Sequence, residues 1–125
     1  MPNTNEHLAK AQGNKTFAYN LSVTTPTAIG WALTALFYSA LHYVEAYNAK
    51  YHQHFSRHED LSREIGRNPV LQPIYDDYKD LLAFSWNARY RPVQYDAAKL
   101  VEAKEYHAAV EQVVSGLLGI SPPRP

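Results

Sequence analysis

The 125 residues of this chain include no cysteine, which excludes disulfide staples, thiolate zinc sites and cysteine nucleophiles, and with them the thiol and redox enzymes. Net charge is missing as well. Twelve basic and twelve acidic side chains cancel, so no global positive field drives non-specific nucleic-acid binding, and any anion site must be local. No apolar run is long enough to span a bilayer, and the start from Met1 to Glu6 has neither the basic residues nor the apolar stretch of a signal peptide. The expectation is a soluble, cytoplasmic protein. A glycine-rich phosphate loop, strand-like alternation and internal repeats are absent too.

What is present is apolar and aromatic: 46% of residues are hydrophobic, enough for a chain of this length to bury one core without staples. A single domain over residues 1–125 is expected, with flexible ends at about 1–5 and 120–125. From about His7 to Val23 the spacing fits a helix that Gly13 and Asn14 interrupt. Thr24 and Thr25 before Pro26 read as a cap with proline at the first helical position. The helix so opened should reach roughly Lys50. It is apolar nearly all round, with a narrow polar stripe through Thr34, His42, Glu45 and Asn48, the pattern of a helix covered on most sides. Ser56 followed by Glu59 has the spacing of a capping box for a short helix that Gly66 and Asn68 would end.

A further helix, beginning near Pro69 or Pro73, places Ile74, Tyr78, Leu81, Leu82, Ser85 and Trp86 on one face and Asp76, Asp77, Lys79, Asp80 and Asn87 opposite. Asp96 can cap the last, in which Leu100, Ala103, His107, Val110, Val114 and Leu117 recur at three- and four-residue spacings before Gly119. The fold class is therefore all-α: an up-and-down bundle of four principal helices with an additional short one.

Chemistry concentrates in the link Arg89-Tyr90-Arg91-Pro92-Val93-Gln94-Tyr95-Asp96. Arginine offers a planar fork that suits phosphate, and tyrosine a face on which a base can stack. The same residues could instead fill and cap a helix junction. Arg57 and His58, from the loop before the short helix, could join them, and Arg57, Arg63, Arg67, Arg89 and Arg91 would form a basic patch if their segments meet. His42 and Glu45 are neighbours on one helix face, where a carboxylate raises an imidazole's pKa and prepares it for proton transfer; the plainer reading is a hydrated surface pair. His52, His54, His58, Glu59 and Asp60 could supply metal ligands, but a solvated loop with no fixed second shell is the stronger reading. His107, in register with the apolar stripe, should be packed, with one nitrogen bonded to a carbonyl.

The runs Leu36-Phe37-Tyr38-Ser39-Ala40-Leu41-His42-Tyr43-Val44-Glu45-Ala46, Ser56 to Leu61, Arg89 to Tyr95 and Ala103 to Leu118 together resemble the HEPN superfamily of helical domains. The resemblance implies a bundle that pairs as a homodimer, in a family whose members act as metal-independent ribonucleases, toxins or partners of nucleotidyltransferases. In its ribonucleases an arginine is followed four to six residues later by a polar residue and a histidine, so that arginine steadies the transition-state charge while histidine moves protons. Arg89 matches that arginine. No histidine follows, and Gln94 and Tyr95 stand where it belongs. Tyrosine, with a pKa of about 10, is a poor base at neutral pH. The resemblance thus implies a non-catalytic module binding nucleotide or RNA, or docking on a partner such as a nucleotidyltransferase, through Arg89, Arg91, Tyr95, Arg57 and His58, with His42 and Glu45 as further candidates. The alternatives are a ribonuclease with a relocated proton-transfer group and a structural dimerisation bundle. Neither cofactor nor metal is expected.

Overall fold

The computed structural model describes residues 2–122 and contains no strand among them. Its helices are α1 (Thr4–Asn20), α2 (Pro26–Lys50), α3 (His58–Arg67), α4 (Tyr75–Tyr90), entered through a 3-10 turn at Gln72–Ile74, and α5 (Ala97–Leu118). None is long and apolar enough to cross a membrane.

Local chemistry sets most boundaries. Thr25 accepts a hydrogen bond from the Ala28 amide and Pro26 follows it, so α2 begins as expected. Asp96 accepts from Lys99 N at the start of α5, and Gly119 closes that helix with a left-handed φ of 70°, which glycine adopts at no steric cost. Three expectations are corrected. Gly13 and Asn14 do not interrupt α1, because both lie on its outer side, and a glycine in a helix otherwise held by packing costs only about 1 kcal/mol. The capping box lies at Asn3 and Glu6, not at Ser56 and Glu59; α3 starts after Arg57, which makes no side-chain cap. Residues 3–5, expected within a flexible end, are the cap and first turn of α1, while of the other end 123–125, like Met1, lie outside the described residues.

Cross-helix bonds give the directions. Thr4 Oγ1 donates to the Ala46 carbonyl and Ser39 Oγ to the Ala11 carbonyl, so α1 runs antiparallel to α2. Gly30 faces Ala88 while Phe37 faces Tyr78, which makes α4 antiparallel to α2 as well. Ser39 meets His107 and Tyr43 meets Glu111, so α5 is parallel to α2. The order is up and down, with α2 packed against α1, α4 and α5. Leu33, Leu36, Phe37, Tyr43 and Val44 of α2 are fully buried.

The polar stripe of α2 is not hydrated: Thr34, Glu45 and Asn48 are buried, and His42 is half-buried. Nor does Trp86 share the buried face of α4. Tyr78, Leu81 and Ser85 do, but Trp86 is 51% exposed, one residue round the helix from Ser85.

Two buried polar groups tie α5 to the rest. Glu111 accepts from Tyr43 Oη (2.7 Å) and from Lys15 Nζ (2.8 Å), so one carboxylate joins three helices. His107 is packed as expected, but its Nε2 meets the Ser39 hydroxyl at 2.8 Å rather than a carbonyl. That hydroxyl donates to the Ala11 carbonyl, and it therefore accepts from Nε2–H, while the buried Nδ1 has no hydrogen-bond partner among the described residues. Burial lowers its pKa to about 4.

Lys15→Met leaves the Glu111 carboxylate buried without its cation; urea denaturation should show a loss of about 3 kcal/mol. The lowered pKa of His107 gives a second expectation. The unfolded chain, with a histidine pKa of about 6.5, binds the proton more readily than the fold does, so this contribution is intact above that value and is lost as pH falls toward 4. Between pH 7.5 and 5 the loss is on the order of 2 kcal/mol. Denaturation midpoints across that range should flatten in His107→Gln, and an unchanged slope would refute the assignment.

Candidate functional site

Helix α4 stops where Pro92 forces the preceding residue into extended backbone: Arg91, its C-cap, has φ −117° and ψ 152°. Arg89 thus lies in the last turn, half-buried, with its side chain turned back onto the bundle. Its Nε donates to the Ser85 carbonyl (3.2 Å), Nη2 to Ser85 Oγ (3.0 Å) and Nη1 to Tyr38 Oη (3.1 Å). The guanidinium also lies 5.5 Å from the centre of the Tyr38 ring and 5.1 Å from that of Tyr90, within cation–π range. A guanidinium carries five N–H donors; three are engaged, and two remain. No carboxylate among the described residues pairs with it.

Beside Arg89 opens a cavity of about 390 Å³ between the first turns of α2 and the link from α4 to α5. Among the described residues Arg89 is the only charged one lining it. Trp31 and Tyr90 form aromatic walls that remain more than half exposed, at 56% and 62%. Gln94 and Tyr95 complete the polar side. Tyr95 is anchored by its ring against Phe84 (5.3 Å) and by the Asn87 amide, which donates to its hydroxyl at 3.2 Å. The pocket therefore has a fixed cation, aromatic faces and no acid.

The remaining candidates divide. His58, the first residue of α3, is exposed and sets its ring edge on Phe37 (5.8 Å) and Tyr38 (6.1 Å), so Tyr38 stands between it and Arg89. Arg91 is exposed and does not line the cavity. Arg57 pairs with Glu59, Arg63 with Asp60 and Arg67 with Glu64. The basic patch that five arginines could have built is thus not formed: Arg57, Arg63 and Arg67 each pair with an acid, as on an ordinary mixed surface, and Arg89 stands apart.

His42 and Glu45 do not pair with each other. Glu45 Oε2 lies 3.5 Å from His7 Nε2 and 3.7 Å from His54 Nδ1, and His7 Nδ1 lies 3.1 Å from His42 Nδ1. The expected rise in the pKa of His42 is reversed. Burial, then His7 and Lys10, lower it to about 4, so it is neutral at physiological pH and unsuited to serve as a cation. Burial also raises the Glu45 carboxyl and lowers His7. The loop histidines separate, for His54 reaches this buried group while His52 and His58 do not. His7 was not among the candidates, yet it begins the buried stripe His7, Ala11, Lys15, Ala18 of α1, which has helical period and was legible.

No protein-family model matches this chain, and no curated protein or solved structure matches it either. Its function has to be read from the geometry of its own side chains.

Proposed function

We propose that the chain is a non-catalytic, HEPN-like helical module that binds the phosphate of a nucleotide or RNA at Arg89. The observation that carries this reading is a guanidinium fixed by Tyr38 and Ser85, with two unspent N–H donors and no counter-charge, at the rim of a cavity without an acidic residue. A half-buried cation of this kind favours an anion that accepts in the plane of the fork. Trp31 and Tyr90 offer faces for a base. No histidine lines the cavity, so proton transfer has no group at the phosphate, and recognition without cleavage follows. The reading takes the protein to act in the cytoplasm as a homodimer, the exposed ring of Trp86, outside the cavity, providing apolar surface for a second copy or a partner such as a nucleotidyltransferase.

One observation favours a second reading, a metal-independent ribonuclease. His58 sets its ring against that of Tyr38, the residue that holds Arg89, and so is linked to the guanidinium through that one side chain. Cleavage of RNA in chelator, lost in His58→Ala, would replace the first reading with this one.

The test is fluorescence anisotropy of a labelled single-stranded RNA and of a labelled nucleotide over a range of salt. With one arginine at the phosphate, the logarithm of affinity should fall against the logarithm of salt with a slope of about −0.7. Arg89→Ala should weaken binding on the order of a hundredfold, from two charge-assisted bonds. Arg91→Ala should have little effect. Binding that is insensitive to salt, or equal in Arg89→Ala, would remove the proposal.

A further inference from the structure

His7, Glu45 and His54 come from three different parts of the chain, α1, α2 and the loop after α2, yet their ligand atoms lie within 4.8 Å of one another. Three features show how they are brought together. Antiparallel packing of α1 on α2, tied at one end by the Thr4 bond to Ala46, sets His7 opposite Glu45. Beyond α2, the amides of Tyr51 and Gln53 both return to the Asn48 carbonyl, and His52 takes a left-handed φ of 58°. This turn doubles the chain back, so His54 faces a residue nine positions earlier. His42, one turn before Glu45, then meets the far nitrogen of His7 at 3.1 Å and fixes the direction of that ring, the role a supporting residue plays behind a ligating histidine.

Glu45 and His7 are 8% and 5% exposed. A carboxylate so placed is costly without a cation. No lysine or arginine among the described residues pairs with it, and its charged neighbours are the two imidazoles alone. Protonating His7 to serve as that cation works against the same burial, which lowers its pKa. A divalent ion removes the conflict, because it needs imidazole neutral and carboxylate ionised. The spacing agrees. Ligands of a tetrahedral zinc ion at 2.0–2.1 Å stand about 3.3 Å apart; the two separations from Glu45 are 3.5 Å and 3.7 Å, and the two imidazole nitrogens lie within 4.8 Å of each other.

We propose that His7 Nε2, Glu45 Oε2 and His54 Nδ1 bind a divalent transition-metal ion, zinc by ligand type, with a fourth position open to water or a small ligand. Two imidazoles and one carboxylate suit zinc and its neighbours in the first transition row rather than calcium or magnesium, which take oxygen ligands. The open side is that of His54, the exposed member, which alone of the three lines a cavity of about 460 Å³ between the start of α1 and the loop at His52 to His54. The site is independent of Arg89 and of the ligand bound there.

The experiment is a zinc titration of untagged full-length protein, stripped with chelator, against a chromophoric zinc chelator at pH 7. One equivalent should bind, and millimolar magnesium should not displace it. His54→Ala should weaken binding at least a hundredfold. This is the decisive variant, since an exposed loop residue is replaced and circular dichroism can verify the unchanged helix content. Glu45→Gln should do the same, His42→Ala should weaken binding about ten- to hundredfold, and His52→Asn, which removes the imidazole but tolerates the left-handed backbone of the turn, should leave it unchanged. Absence of saturable binding would overturn the proposal. So would binding undiminished by His54→Ala, or lowered equally by His52→Asn, which would mark only a loose group of loop histidines.

Discussion

A helix enclosed by its neighbours must find partners for its polar side chains inside the protein, because water cannot reach them. Helix α2 is in that position, and much of the bundle is arranged to answer it. Ser39 is met by His107 and by the Ala11 carbonyl, and Tyr43 by a carboxylate that also holds Lys15. Glu45 is met by two histidines, and Tyr38 by Arg89. Each of these bonds fixes the register of α1, α4 or α5 against α2, which apolar contact alone does less sharply, since it is non-directional. A shift of one turn in any outer helix would leave at least one of these groups unpaired.

Much of this was legible in the sequence and some was not, for identifiable reasons. Thr25-Pro26, Asp96 and Gly119 act through bonds within a few residues of themselves, and they mark α2 and α5 as expected. The apolar surround of α2 gave its central place. Ser56 and Glu59 had the spacing of a capping box without the conformation, because Arg57 rather than Ser56 precedes the first turn of α3 and no side chain caps it. The polar stripe through His42 and Glu45 was visible, but whether water or protein covers a stripe depends on other helices. Period cannot report that pairing. His7 stood in a stripe that period could mark as buried, but its partners could not be read there, since they arise only when residue 7 lies opposite residue 42. At the arginine link the residues named from sequence separate into Arg89, Gln94 and Tyr95, which line the cavity, and Arg91, which proline at the next position turns outward.

Tyr38, His42 and Glu45 follow one another at helical spacing along one side of α2, with the arginine pocket toward its first turns and the histidine group toward its last. Tyr38 serves the first by accepting from Arg89 and touching His58; His42 and Glu45 serve the second through His7 and His54. The two assemblies share no side chain. The segment that connects α2 to α3 carries one histidine to a residue of each, His54 to Glu45 and His58 to Tyr38.

That segment, residues 51–57, differs from an ordinary surface loop in what its length controls. His54 lies within it and His58 directly follows it, and both reach back to α2, one to Glu45 and the other to Phe37 and Tyr38. An added or deleted residue before His54 would displace both contacts together. Surface connections normally drift in length among descendants at little cost. Here the evolutionary freedom is removed, and lineages that keep the two histidines in use should keep this connection at constant length while the tail beyond Gly119 varies.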